Sequence, residues 1–159
     1  MRRKCYPLIL IEILFLFSGC MYKFVNPSQK TIYVDYFANH TLQPQIETWI
    51  LKNLKKTIVE GPAFLLVGDK EKADIVITGV IDDFTRNAEF ISDSDQIMMA
   101  CYKVKISFDI NRNGKISQKN LEQVYSLELA TAFKKDMLLD MLSKKIAQDI
   151  YYQVISNEE

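Results

Sequence analysis

Between residues 97 and 111 the chain alternates for longer than a helical pattern would allow. Tyr102, Val104, Ile106, Phe108 and Ile110 fall on one side, and Cys101, Lys103, Lys105, Ser107 and Asp109 on the other. That is the period of a strand with one buried face and one largely solvated face. Asn113-Gly114 follows, two residues that tolerate positive φ, and predicts a tight turn. Residues 121–130 then set Val124, Ser126 and Glu128 against Tyr125, Leu127 and Leu129, the returning strand of a hairpin. An apolar face of this length has to be covered by other elements.

The preceding residues supply them. Residues 31–37 place Ile32, Val34 and Tyr36 on one side and Tyr33, Asp35 and Phe37 on the other, again a strand. Pro44 suits the first turn of a helix, where its missing N–H costs nothing. Ile46, Trp49, Ile50, Leu54 and Ile58 follow at helical spacing with Lys52, Lys55 and Lys56 off the stripe, and Gly61-Pro62 stops the run. The spacing predicts an amphipathic helix over 45–60 with Trp49 in the core. Residues 63–67 read as a short apolar strand and 68–72 as a charged turn. Residues 73–84 are apolar on both faces near their middle, with Ile75, Ile77, Gly79 and Ile81 against Asp74, Val76, Thr78 and Val80, which predicts a central strand. A strand, a helix and a returning strand favour a right-handed parallel crossover. Residues 85–95 are polar and read as a loop or ragged strand end.

A second helix is expected over 135–155, where Leu139, Leu142, Ile146, Ile150 and Val154 share a stripe. The sum is an α+β domain, two helices packed on one face of a mixed four- to five-stranded sheet, in the order β-α-β-β-β-β-α.

The first 24 residues belong to a different class. Arg2, Arg3 and Lys4 precede an apolar run from Pro7 to Phe17, which ends in Ser18-Gly19-Cys20. The run is too short to span a bilayer and carries Glu12, so it reads as a signal peptide over 1–19. The small residues before Cys20 match a bacterial lipoprotein signal, in which that cysteine becomes the lipidated first residue. An ordinary secretory signal is the alternative. Two or more acyl chains anchor stably where one does not. Residues 20–30 then form a tether, 31–155 a single domain, and 156–159 a short solvated tail. Setting the signal aside removes three of the 20 basic and one of the 20 acidic residues, leaving 17 against 19, a formal charge of −2. A nucleic-acid partner calls for a basic domain, and this is not one.

Candidate chemistry is sparse. Cys101 is the one thiol left to the mature chain and is expected to be buried as a small hydrophobe. His40, the single histidine, has no partner at a recognisable spacing for a triad or a zinc site and reads as a loop residue; Asn39-His40-Thr41 also spells a glycosylation sequon. Asp109, Asn111, Asn113, Gly114 and Ile116 imitate the opening of a calcium loop. The twelfth position is Asn120 in place of a bidentate Glu, so a hairpin turn is expected and no metal. Glu89, Asp93 and Asp95 read as a solvated acidic loop in preference to a cation site. Lys134 and Lys135 flank the start of the last helix against its dipole, a placement that suits an anionic partner or an ordinary surface. No nucleophile–base pairing is visible, so neither an enzyme nor a cofactor is expected.

Taken together, the residues Cys20-Met21-Tyr22-Lys23-Phe24, the run Ile32 to Thr41 with Pro44 behind it, the run Ala73 to Gly79, the Tyr102-Lys103-Val104 strand and a closing helix resemble the LPS-assembly lipoprotein family LptE over the whole mature chain. The family usually has Gly after the lipidated cysteine, where this chain has Met21. The resemblance implies a lipid-anchored outer-membrane protein facing the periplasm, seated in the lumen of a large β-barrel translocon like LptD. There it would plug the barrel, assist its folding and contact lipopolysaccharide. The family's basic residues lie before the long strand and before the last helix; here the first loop is acidic, and Lys134 and Lys135 match the second as lipopolysaccharide contacts. Parts of the same pattern are also similar to lipoproteins of curli-secretion channels and to activators of cell-wall synthases, which act by binding other proteins.

Overall fold

The computed structural model of the protein describes residues 29–91, 97–128 and 135–156. The elements run β1 (Lys30–Asn39), α1 (Ile46–Glu60), β2 (Phe64–Leu66), a 3-10 turn (Lys70–Lys72), β3 (Ile75–Ile91), β4 (Ile97–Arg112), β5 (Lys115–Glu128) and α2 (Lys135–Ser156). The five strands form one mixed sheet in the order β2-β1-β3-β4-β5. β1 is parallel to both β2 and β3, and β3, β4 and β5 are antiparallel neighbours. The expected α+β architecture and element order are therefore present, with β3 at the centre.

Both helices cover one face. Ile46, Ile50, Leu54 and Ile58 of α1 and Leu139, Ile146, Ile150 and Val154 of α2 close over Ile32, Val34, Ile75, Ile77, Ile81, Val104, Ile106, Phe108 and Ile110, all buried. A smaller cluster of Ala100, Tyr102, Leu127, Leu138 and Leu142 continues the core toward the far end of β4. Burial of this kind, at about 25 cal/mol per Å² of apolar surface, is the main force holding the layers together.

Several boundaries and faces differ from the sequence reading. β1 carries a bulge between Val34 and Phe37, where three residues step past two of β3. The extra residue reverses the alternation, so Phe37 joins Ile32 and Val34 in the core and Tyr36 is 61% exposed. β3 continues to Ile91, so of the two readings for this stretch residues 85–91 take the strand one, with irregular register near the end, because they pair with Lys103 back to Ile97 of β4. β5 begins at Lys115, six residues before the expected start, because a two-residue turn leaves no room for a loop. That turn has Asn113 at φ 50° and Gly114 at φ 87°, the geometry of a type I′ hairpin.

Pro44 lies outside α1 and not in its first turn. The cap is Gln45, in the left-handed region at φ 69°, whose carbonyl accepts the Trp49 N–H at 3.1 Å. Trp49 is half-buried at the edge of the core, with Lys52 Nζ 4.9 Å above its ring. Between the helices lies a polar contact that amphipathic spacing does not announce. Asn53 and Ser143 are both buried, and Asn53 Nδ2 donates to Ser143 Oγ at 2.6 Å. Gly61 lets Tyr151 approach, since a Cβ there would sit 2.1 Å from the Tyr151 hydroxyl.

Candidate interaction surface

Among the described residues, the face of the sheet opposite the helices has no element packed over it. Strand alternation and local register shifts compose it. On β4 the outward side chains are Cys101, Lys103, Lys105, Ser107 and Asp109, and on β5 Ile116, Gln118, Asn120, Glu122, Val124 and Ser126. On β3 a register shift between Ile81 and Asp83 puts one extra residue on that strand. Asp82 as well as Asp83 is thereby exposed or half-exposed, and Asp82 Oδ2 accepts the Ser107 hydroxyl at 2.6 Å.

The charges on this face alternate in sign. Asp83 stands opposite Lys105, and Lys105 opposite Glu122. Lys103 Nζ lies 2.5 Å from Glu122 Oε1 and holds that carboxyl below the ordinary glutamate range. At the opposite edge, Lys70 Nζ donates to Asp35 Oδ2 at 2.8 Å and holds Asp35 low in the same way. Exposed pairs of this kind contribute little to stability and leave both partners able to exchange for new ones. A shallow depression of about 130 Å³ opens among Thr78, Val80, Ser107, Asp109 and Gln118. Hydroxyls, an amide and one carboxylate line it, which suits water or a protein side chain better than an enclosed ligand.

Cys20, Lys134, Asp93 and Asp95 lie outside the described residues, and the side chains of Glu89 and Lys135 do too. Lys135 is the first residue of α2. Cys101 is half-buried on the outward side of β4, not sealed in the core, because Ala100 and Tyr102 take the inward positions. His40 is exposed just past β1, its N–H bonded to the Ile81 carbonyl at 3.0 Å. The Asn39 side chain is engaged: its amide donates to the Gln43 carbonyl and to Glu47 Oε2, and its oxygen accepts the Thr41 N–H. The calcium-like stretch is the β4–β5 hairpin, in which Asn111 Oδ1 accepts the Gly114 N–H at 2.9 Å. Among the described residues no group of His, Cys, Asp and Glu gathers as a metal site, and no helix is long and apolar enough to cross a membrane.

The sequence pattern places the outward side chains of β4 and of the second half of β5, but it does not carry β5 back to Lys115 and it reads 85–95 as a loop or ragged strand end. The Asn113-Gly114 pair was the signal available, because a type I′ turn requires strand immediately on both sides.

The architecture recurs in solved structures. A hypothetical protein from Chlamydia trachomatis superposes with a TM-score of 0.57 at 8% identity, covering 80% of this chain and 96% of that one. Rare lipoprotein B from Shewanella oneidensis gives 0.52 at 13% identity over 79% and 96% of the two chains. A minor lipoprotein from Acinetobacter baumannii gives 0.51 at 13% over 81% and 94%. The chain shares its fold with bacterial lipoproteins. No protein-family model matches it, and no curated protein matches it in sequence. At these identities the likeness is one of fold.

Proposed function

We propose that this protein is a lipoprotein of the outer membrane, anchored through Cys20 and facing the periplasm, that plugs a large β-barrel lipopolysaccharide translocon like LptD and assists its folding. The observation that supports this most is the face of the sheet that none of the described elements covers. Strands of 14 to 17 residues present a side that is mostly polar and mixed in sign, with Ile116 and Val124 as its exposed apolar residues. The lumen of a large barrel is polar as well, and a plug must match it without a dominant charge. The lipoprotein signal and the fold shared with bacterial lipoproteins point the same way.

The protein acts by binding and not by catalysis. Lys134 and Lys135, at the entry to α2, are the residues assigned to lipopolysaccharide, whose phosphates would accept charge-assisted hydrogen bonds from their ammonium groups. Affinity purification of the tagged full chain from outer membranes in mild detergent, with mass spectrometry of the eluate, tests the reading. A stoichiometric large β-barrel is the expected companion. A cell-wall synthase or a curli-type channel in its place would overturn the assignment and favour another periplasmic assembly system. Changing Lys134 and Lys135 together to Glu should then lower lipopolysaccharide capture while the barrel still co-purifies.

A further inference from the structure

Among the described residues, the sheet ends in a strand whose outer edge is open. β5 spans 14 residues without proline, and among the described residues only β4 pairs with it. Long uncovered edges are templates for another strand, and soluble proteins usually shorten or bury them. The hairpin fixes which groups the edge offers. A type I′ turn over Asn113-Gly114 makes Arg112 and Lys115 a hydrogen-bonded pair, and the register runs unshifted from there to Met99 and Glu128. Odd-numbered residues of β5 therefore aim their N–H and C=O groups at β4. Even-numbered residues, 116 to 126, aim theirs at the open edge.

Those same even positions carry the outward side chains. Two of them are exposed apolar residues, Ile116 at 63% and Val124 at 55%, and they stand four residues to either side of Asn120. We propose that two copies of this chain pair antiparallel along β5, about a two-fold axis passing between their Asn120 residues, to form one continuous ten-stranded sheet. In that register Ile116 of each copy faces Val124 of the other, Gln118 faces Glu122, and Lys119 faces Leu121. Two apolar cross-strand pairs are formed, no like charges are opposed, and about ten backbone hydrogen bonds close the edge. Neighbouring registers lose this. Centring on Lys119 or Glu122 opposes identical charges, and centring on Leu121 sets Ile116 against Ser126 and Val124 against Gln118. The axis is perpendicular to the sheet, so the helices of both copies lie on the same side. Pairing of this kind is a property of the free protein, independent of whether a barrel later takes up the monomer.

The test uses the full chain in mild detergent, with Cys101→Ser to remove the native thiol. Asn120→Cys should form a covalent dimer on mild oxidation, since opposed Cα atoms in a hydrogen-bonded pair lie about 5.5 Å apart, within disulfide range. Ser126→Cys should not, because its mate would be about 40 Å away along the strand. Light scattering should give the mass of two chains, and Val124→Lys should raise the dimer dissociation constant at least tenfold with the thermal melt retained. A single-chain mass at all concentrations with Asn120→Cys unlinked would overturn the proposal. So would equal cross-linking at both positions, or a dimer that survives Val124→Lys unchanged while Asn120→Cys stays unlinked.

Discussion

The ring of Phe37 occupies the space that a side chain at position 79 would need. A Cβ built on Gly79 would fall 2.3 Å from Phe37 Cε1 and 2.6 Å from Cδ1, and the two residues are paired across β1 and β3. The glycine in the first third of the central strand is thus a seat for an aromatic ring that is fully buried.

Gly79→Ala is therefore expected to destabilise by about 1–3 kcal/mol, the usual penalty of overpacking. In a Phe37→Leu background the added methyl meets a smaller neighbour, and the penalty should shrink. A double-mutant cycle in urea measures the coupling. Equal costs in both backgrounds would mean that the ring does not determine the glycine.

The β1 bulge predicts opposite fates for adjacent aromatics. Tyr36→Lys, at a position 61% exposed, should change stability by less than about 0.5 kcal/mol. Phe37→Ala should cost about 3–5 kcal/mol, as for a large ring removed from a core. Thermal melts of the two variants decide it; a reversed order would restore unbroken alternation along β1.

Asn53 and Ser143 form a buried polar contact between α1 and α2, backed by the Asp140 carbonyl, which accepts the Ser143 hydroxyl at 3.1 Å. Ser143→Ala alone leaves the Asn53 amide short of its closest partner and should cost about 1–3 kcal/mol. Replacing both, as Asn53→Leu with Ser143→Ala, should recover much of that loss. Chemical denaturation of the single and double variants checks it, and additive losses would argue against a shared hydrogen bond.

Four carboxyls each add a small share to the acid limb of stability. Asp35 is held low by Lys70, Glu122 by Lys103, Asp140 by Lys144 with help from Asn53, and Asp74 by the Thr31 N–H at 2.7 Å and the Thr31 hydroxyl. Each has a folded pKa below its unfolded one. Its contribution is present above the ordinary carboxylate range and lost as pH falls through the lowered value. Urea midpoints should be flat near neutrality and decline below about pH 4. Asp74→Asn should make that decline shallower. An unchanged midpoint at pH 3 would show that these contacts do not favour the folded state.

Much of the architecture is legible in the chain itself. The stripes Ile46, Ile50, Leu54, Ile58 and Leu139, Leu142, Ile146, Ile150, Val154 record which side of each helix is dry, because the 3.6-residue period is local and apolar burial enforces it. Asn113-Gly114 records its own turn for the same local reason, since both residues accept the positive φ that the hairpin needs.

What depends on a neighbouring strand is not written locally. The bulge that turns Phe37 inward exists because β1 must match the register of β3, and Gly79 has meaning only with Phe37 above it. The second half of β3 is polar, and it is a strand because β4 lies beside it to pair with its backbone. The open edge of β5 and the mixed-sign face follow from strand order, which sets which amides and side chains are left facing outward. Side-chain period is an inherited property of sequence, but register and strand order are settled by long-range backbone pairing, and here they decide which surface a partner meets.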